Sequence, residues 1–319
     1  LSRWESVNSM RVTAVWTIIV IACTLVWGSI HPVSKHLMDN GLSPLIMSIL
    51  RFGIATIATI PILFRQHSSY ARLNVKDVLI LSLLGVMGVA LFSICVFYGI
   101  DLSNATSSAI LINSQPVFAA LFAALLLKER LNRRQIAGIA IGVAGLLLVV
   151  TRGDISALSF STSYLVGNLL CIAAAVLISL YYIGLKRYVL RFGSTSATLV
   201  STAAGSIALI VIALAAGEDF SVLTRIPAVD WLWIVHIGLV ATAFSNLLFH
   251  RSLTVIGVSR ATGFKFLVPV FGIFFSFFFL GESMGLIVYI GILIILLALL
   301  NINGNILTIQ TGRRLKDTM

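Results

Sequence analysis

The chain is 319 residues long, 59% hydrophobic and 10% charged, with a mean hydropathy of +1.06. Soluble domains carry about 25% charged residues, so this chain lacks the charge to coat a water-facing surface and reads as a polytopic membrane protein. Its net charge of +11 raises nucleic acid as a partner, which the positions of the basic residues then exclude.

A helix crosses a hydrocarbon core about 30 Å thick with about 20 apolar residues. In chain order, the predicted spans are Val12–Lys35, Leu45–Phe64, Val78–Ile100, Thr106–Leu127 and Gln135–Val150. Then come Tyr164–Tyr188, Ala197–Ala216, Trp231–Leu253, Ala261–Leu280 and Met284–Ile302. The first is too long for a signal-peptide core and lacks a small-residue cleavage site, so it is predicted to remain as a membrane helix. No span alternates with period two, which excludes a β-barrel. Cys23, Cys95 and Cys171 all fall inside spans and are expected to act as small apolar packing residues.

Five spans fall in each half, and one segment occurs twice. Pro116-Val117-Phe118, ten mostly apolar residues and Glu129 return as Pro269-Val270-Phe271, ten mostly apolar residues and Glu282, an offset of 153. Repetition at half length predicts two copies of one unit, at 12–150 and 164–302, with 303–319 as a cytoplasmic tail. With the N-terminus in the cytoplasm, 17 of the 22 basic residues fall at cytoplasmic ends, from Arg3 and Arg11 through Lys128 and Arg134 to Lys316. Only Lys35, Arg152 and Arg225 fall opposite. That asymmetry follows the positive-inside rule, so the basic residues are orientation anchors and no nucleic-acid partner is expected.

The predicted fold is therefore all-α, with ten transmembrane helices and both termini cytoplasmic. Five crossings per copy turn the second copy upside down. Two inverted five-helix repeats are an architecture of secondary transporters, with the substrate site near the bilayer midplane.

Several motifs occur in a familiar order and spacing. They are Val26-Trp27-Gly28 with Ser34-Lys35, then Leu50-Arg51-Phe52, then Leu127-Lys128-Glu129-Arg130-Leu131 followed by Gly138 and Gly145, and finally Pro269 with Gly281-Glu282. From about residue 12 to 302 the chain resembles the drug/metabolite transporter superfamily, and within it the EamA-type ten-helix exporters. The resemblance implies alternating-access transport of a small solute, and cavity-lining helices that carry Tyr98, Asn113, Gln115, Tyr181 and Tyr182. Gly263-Phe264-Lys265-Phe266 departs from the general pattern, in which that lysine has no place. The related sugar-phosphate antiporters of plastids do carry basic residues in this helix.

Ionisable side chains inside a membrane are costly and face a cavity or a partner. Here they are Arg51, Lys265, His31, His236 and His250, with no Asp or Glu well inside any span. Exporters of lipophilic cations commonly use a buried carboxylate, whereas the buried fixed charge here is positive. The expected substrate carries a negative group, as an anion or as a zwitterion such as an amino acid.

Candidate substrate-binding residues are Lys265, His31, Trp27, Tyr98, Asn113, Tyr182, Asn246 and His250. Trp27 with His31, and Asn246 with His250, share helix faces at i, i+4. Lys265 either serves the site or snorkels to the helix end roughly 7 Å away. Pro116 and Pro269 strip the carbonyls of Ile112 and Lys265 of their intrahelical donors, and either line the site or only kink their helices. Arg51 is read as a fold residue bonded to helix-end carbonyls, or else as a substrate contact. Glu129 and Glu282 are read as symmetric loop or gate partners of nearby Lys or Arg.

The spans hold no HExxH helix, cysteine cluster or carboxylate pair, and no phosphate loop accompanies them. No cofactor, metal or enzyme activity is expected, and the expected partners are a small-molecule substrate and the lipid bilayer. The leading function is export of amino acids or related anionic or zwitterionic metabolites across the cell membrane. A multidrug exporter of lipophilic or cationic compounds, and an organic-anion or sugar-phosphate exchanger, are the alternatives.

Overall fold

The computed structural model describes residues 3–65, 73–103, 105–154, 156, 158, 164–280 and 285–303. Within these, the side chains of 3–11, 31, 35, 65, 105, 106, 276–280 and 303 lie outside the description, as do Glu282 and the tail from 304. No strand occurs among the described residues, and eight of their helices are long and apolar enough to cross a membrane. A shorter apolar helix covers Leu286–Ile302. The exterior is apolar: Leu83, Leu125, Leu214, Leu232, Leu293 and Leu300 are exposed, the reverse of a water-facing surface.

Prolines and one glycine decide where these helices break. The first predicted span is two helices, α1 (Arg3–Gly28) and α2 (Ile30–Asp39). The Pro32 ring clashes with the carbonyl of residue 28, so the chain breaks at Ser29, whose hydroxyl donates back to the Val26 carbonyl at 2.7 Å. After α3 (Pro44–Arg65), α4 (Val75–Gly85) and α5 (Phe92–Asp101) flank a π-helical turn over Val86–Leu91. Pro116 parts α6 (Ala105–Asn113) from α7 (Gln115–Leu126) in the same way as Pro32. The first half ends with α8 (Arg133–Thr151), capped reciprocally by Asn132 and Gln135.

The sixth and seventh predicted spans are the two arms of α9 (Leu165–Ala215), which meet at a kink with no extended linker between them. Only Gly193 interrupts it, at φ 80° and ψ 160°, a conformation that glycine adopts without a Cβ penalty. In a straight helix Tyr181 and Ser201 would stand about 30 Å apart, yet their hydroxyls lie 3.0 Å apart. The chain therefore folds back at Gly193 into two antiparallel arms.

Next, α10 (Ala228–Val235) and α11 (Ser245–Val255) flank a second π-helical segment, His236–Phe244. There the Thr242 and Ser245 hydroxyls donate to carbonyls five residues earlier, those of Ile237 and Val240, at 2.7 and 2.9 Å. That spacing belongs to the wider π turn. A 3₁₀ turn, Phe264–Phe266, joins α12 (Val258–Gly263) to α13 (Leu267–Leu280) ahead of Pro269, and α14 (Leu286–Asn303) follows. The Lys265 carbonyl is not left open as expected, because this tighter turn brings a backbone N–H to it.

Close helix contact relies on small residues. Gly138 of α8 meets Ala298 and Ile302 of α14, and Gly145 meets Gly291 and Ile295. A Cβ on Gly145 would stand 3.0 Å from the Gly291 carbonyl oxygen. Backbones this close are a usual means of helix association in lipid. Gly138 and Gly291, like Gly145 and Ala298, are separated by the 153-residue offset of the proline repeat.

Candidate functional site

A cavity of about 680 Å³ enters the helix bundle from one end. Its wall begins at the helix ends that carry Asp39, Pro44, Asp101 and Glu218. It continues inward past Ser48, Arg51 and Tyr98 to Asn113, Gln115, Tyr182, Asn246, His250 and Lys265. The opposite end contributes none of Asp77, Glu129, Lys186 or Arg191 to this wall.

Lys265 lies at the deep part of the cavity and is 7% exposed. Its Nζ donates to the Tyr182 hydroxyl at 2.7 Å and stands 4.2, 4.9 and 5.1 Å from the ring centres of Trp27, Tyr182 and Phe249. Trp27 is fixed by its indole N–H, which donates to the Ala241 carbonyl at 2.8 Å, and by an edge contact to Phe249 at 5.0 Å. A lysine at mid-membrane costs about 2.5–3.5 kcal/mol on insertion scales, while one desolvated cation–π contact returns about 2 kcal/mol. Three rings and a hydrogen bond therefore hold the ammonium in place, and Lys265 does not snorkel. An ammonium has three N–H donors, of which Tyr182 takes one.

Arg51 shares this wall. Its Nε donates to Thr242 Oγ1 at 2.7 Å and its guanidinium lies 5.0 Å from the Phe52 ring centre. The expected helix-end carbonyl partners are thus replaced by a hydroxyl of the second π segment. Three other polar groups of the wall have protein partners. His250 Nδ1 pairs with Thr198 Oγ1 at 2.8 Å, Tyr181 with Ser201 at 3.0 Å, and Asn113 Nδ2 donates to the Ala109 carbonyl at 2.7 Å. Gln115 differs. It is 8% exposed, and among the described residues its side-chain Oε1 has no hydrogen-bond partner. A buried acceptor left in that state costs about 1–3 kcal/mol.

Of the candidate binding residues, Lys265, Trp27, Tyr98, Asn113, Tyr182, Asn246 and His250 all line this one cavity. Tyr98 is half-exposed, while His250 and Tyr182 are buried. The His31 side chain lies outside the described residues. Pro116 and Pro269 do not line the cavity, although their neighbours Gln115 and Val268 do.

Glu129 sits at the closed end, where it accepts from Lys186 Nζ at 2.7 Å, Ser259 Oγ at 3.0 Å and the Val258 backbone N–H at 3.3 Å. It thereby joins α9 to the start of α12. Burial raises its pKa, but the Lys186 ammonium and the Val258 and Ser259 donors together outweigh that and hold it below its ordinary 4.5.

Sequence reasoning did not single out Thr242 and Phe249, which hold Arg51 and Lys265, or Lys186, which pairs with Glu129 at the closed end. Lys186 is one of the basic orientation anchors, which conceals a partner, and Phe249 is one more aromatic residue in an apolar span. The Thr242 signal was a hydroxyl in an apolar span one turn before Ser245 and Asn246.

Comparison with known proteins bears on this geometry. The EamA-like transporter family matches residues 14–151 and again 165–304. The uncharacterized transporter YyaM of Bacillus subtilis is 26% identical over 290 residues, 90% of this chain and 93% of that protein. YetK of the same organism is 28% identical, covering 85% and 81%. A probable terminal-alkyne amino-acid exporter of Streptantibioticus cattleyicolor is 24% identical, covering 84% and 86%. A solved crystal structure, 17% identical, superposes with a TM-score of 0.74 over 90% of this chain and 94% of that one, a likeness of fold. This multi-pass protein of the cell membrane is a transporter and not an enzyme, and it belongs to the EamA-like transporter family.

Proposed function

We propose that the chain is a secondary exporter of small carboxylate-bearing solutes, namely amino acids and related anionic or zwitterionic metabolites, working by alternating access. The observation that carries this reading is the Lys265 ammonium, buried in an aromatic cage at the deep part of the cavity, with Arg51 on the same wall. The carboxylates of the cavity wall, Asp39, Asp101 and Glu218, are at its mouth. An anionic group reaching Lys265 gains a charge-assisted hydrogen bond in a site of low dielectric. The amino-acid exporter among the relatives supports this class of solute.

The transport cycle rests on an inverted repeat of ten helices, counting the two arms of α9 separately, with repeats at 12–150 and 164–302. Support comes from the double family match and from cavity residues spaced by the repeat offset: Ser93 and Asn246, Phe97 and His250, Ile112 and Lys265, Gln115 and Val268. Both termini are cytoplasmic, because the closed end then carries Lys128, Arg130, Arg133, Arg134, Lys186 and Arg187 and obeys the positive-inside rule. The cavity is then open to the outside and closed toward the cytoplasm by the Glu129–Lys186–Ser259 cluster. Exchange of that closure for one at the other end is the alternating step. The small-molecule solute and the surrounding lipid are the partners of this reading.

The test is thermal stabilisation of the detergent-purified chain across amino acids, organic acids, sugar phosphates and quaternary cations. Stabilisation by carboxylates that disappears in Lys265→Ala supports the proposal. Stabilisation by cations alone would replace it with the multidrug reading.

A further inference from the structure

Building on the reading of Lys265 as the carboxylate site, we infer that Gln115 is the second pole of that site and takes the substrate's ammonium group. The chain then selects zwitterions of the amino-acid type, with apolar side chains, over plain organic anions.

The argument starts from two pairs of positions. The 153-residue offset carries Ile112 to Lys265 and Gln115 to Val268, and all four line the cavity. Each half thus presents one apolar and one polar side chain beside its proline, and the two polar ones are unlike. The second half offers a cation and the first an amide.

An anion is served by the cation alone, so the amide has to be explained separately. Among the described residues two buried side-chain atoms lack a hydrogen-bond partner, Gln115 Oε1 and Thr17 Oγ1, and Thr17 is not part of the cavity wall. A carbonyl oxygen accepts hydrogen bonds, so its partner must be a donor. A carboxylate has no donor and an ammonium has three.

One helix holds both poles. Ser179 Oγ donates to the Gln115 backbone carbonyl at 3.1 Å, and Tyr182 accepts from Lys265 at 2.7 Å. Residues three apart on a helix share a face and rise about 4.5 Å along the axis, so α9 braces the Gln115 backbone and the Lys265 ammonium within about one turn of each other. Phe92, Val96, Phe97 and Ile178 make the adjoining wall apolar, which disfavours a polar side chain on the substrate.

The experiment compares leucine with its deamino analogue 4-methylpentanoate, which keeps the carboxylate and the side chain. Dissociation constants come from ligand-dependent melting of the full purified chain. The parent is expected to bind leucine at least about tenfold more tightly, the range of a hydrogen bond to a charged group. Gln115→Leu should bring the ratio near one by weakening leucine alone. Gln115→Glu, which keeps an acceptor and adds a negative charge, should retain leucine and lose the analogue. Lys265→Met should weaken both.

Equal binding of the two ligands by the parent would overturn the inference and leave the carboxylate reading of Lys265 standing. So would an undiminished preference for leucine in a folded Gln115→Leu. If that variant does not fold, loss of leucine in Gln115→Glu would overturn it instead. Failure of the parent to bind either carboxylate would remove the reading of Lys265 and this inference together.

Discussion

The two halves of the molecule share backbone devices and differ in the side chains those devices position. Each half has a π-helical segment, at Val86–Leu91 and His236–Phe244, whose last residues are 153 positions apart. In each half a proline follows a break, Pro116 after Ser114 and Pro269 after the Phe264–Phe266 turn. A glycine in each half lets α8 and α14 approach one another, Gly138 and Gly291. At the cavity the matching positions diverge, with isoleucine against lysine, glutamine against valine, phenylalanine against histidine and serine against asparagine. The lesson is a division of labour. Shared backbone geometry supplies a common framework, and unlike side chains give the cavity wall a definite polarity.

That division can be broken at either level. The largest effect is expected from Lys265→Ala, which should lower affinity for a carboxylate ligand by about 100-fold, within the range for truncating one partner of a buried charged contact. Melting temperature in the absence of ligand should change much less. Adding Ile112→Lys to Lys265→Ile moves the cation to the other half, and recovery of carboxylate binding would sharpen the comparison, whereas a dead double variant would show that the surrounding cage matters more than the position.

A backbone device should behave oppositely. Gly145→Leu forces a side chain toward the Gly291 carbonyl and should destabilise the chain by about 1–3 kcal/mol, lowering the melting temperature while leaving the order of ligand preference intact.

A smaller loss is expected at the closed end. Glu129→Gln removes the charge that Lys186 faces and weakens the tie to α12. About 1 kcal/mol, the scale for partly exposed pairs, should appear as faster labelling of a cysteine introduced at position 258 or 259. The smallest effect concerns pH. Because Glu129 titrates below its ordinary 4.5, its stabilising contribution is present above that value and fades as pH falls through the lowered one. Labelling of the closed end should therefore rise only below about pH 4.5, and should be flat with pH in Glu129→Gln.

Much of the architecture was legible because a run of about 20 apolar residues is a blunt signal. The reversal between the two arms of α9 was expected, but not that it would lack a linker. Lys186, Arg187 and Arg191 lower the local hydropathy and imply a linker. A helix, however, satisfies its own backbone groups outside lipid as well as inside, so the turn needed only Gly193. The second π segment left no periodic trace, since hydroxyls of Thr242 and Ser245 reach back five residues there.

At the site, Lys265 stood out as a rare charge within a span. Its cage did not, because Trp27, Tyr182 and Phe249 come from α1, α9 and α11 and meet only in the folded chain. Gln115 looked like one more polar residue until its unpaired oxygen set it apart.

The central claim is that the buried Lys265 receives the negative group of the transported solute. Its most direct test is flux of labelled leucine and of labelled tetraphenylphosphonium, side by side, in liposomes carrying the parent or Lys265→Met. The account predicts leucine flux in the parent, its loss in the variant and no protein-dependent flux of the cation in either. Cation flux that survives the substitution, with leucine immobile throughout, would contradict it.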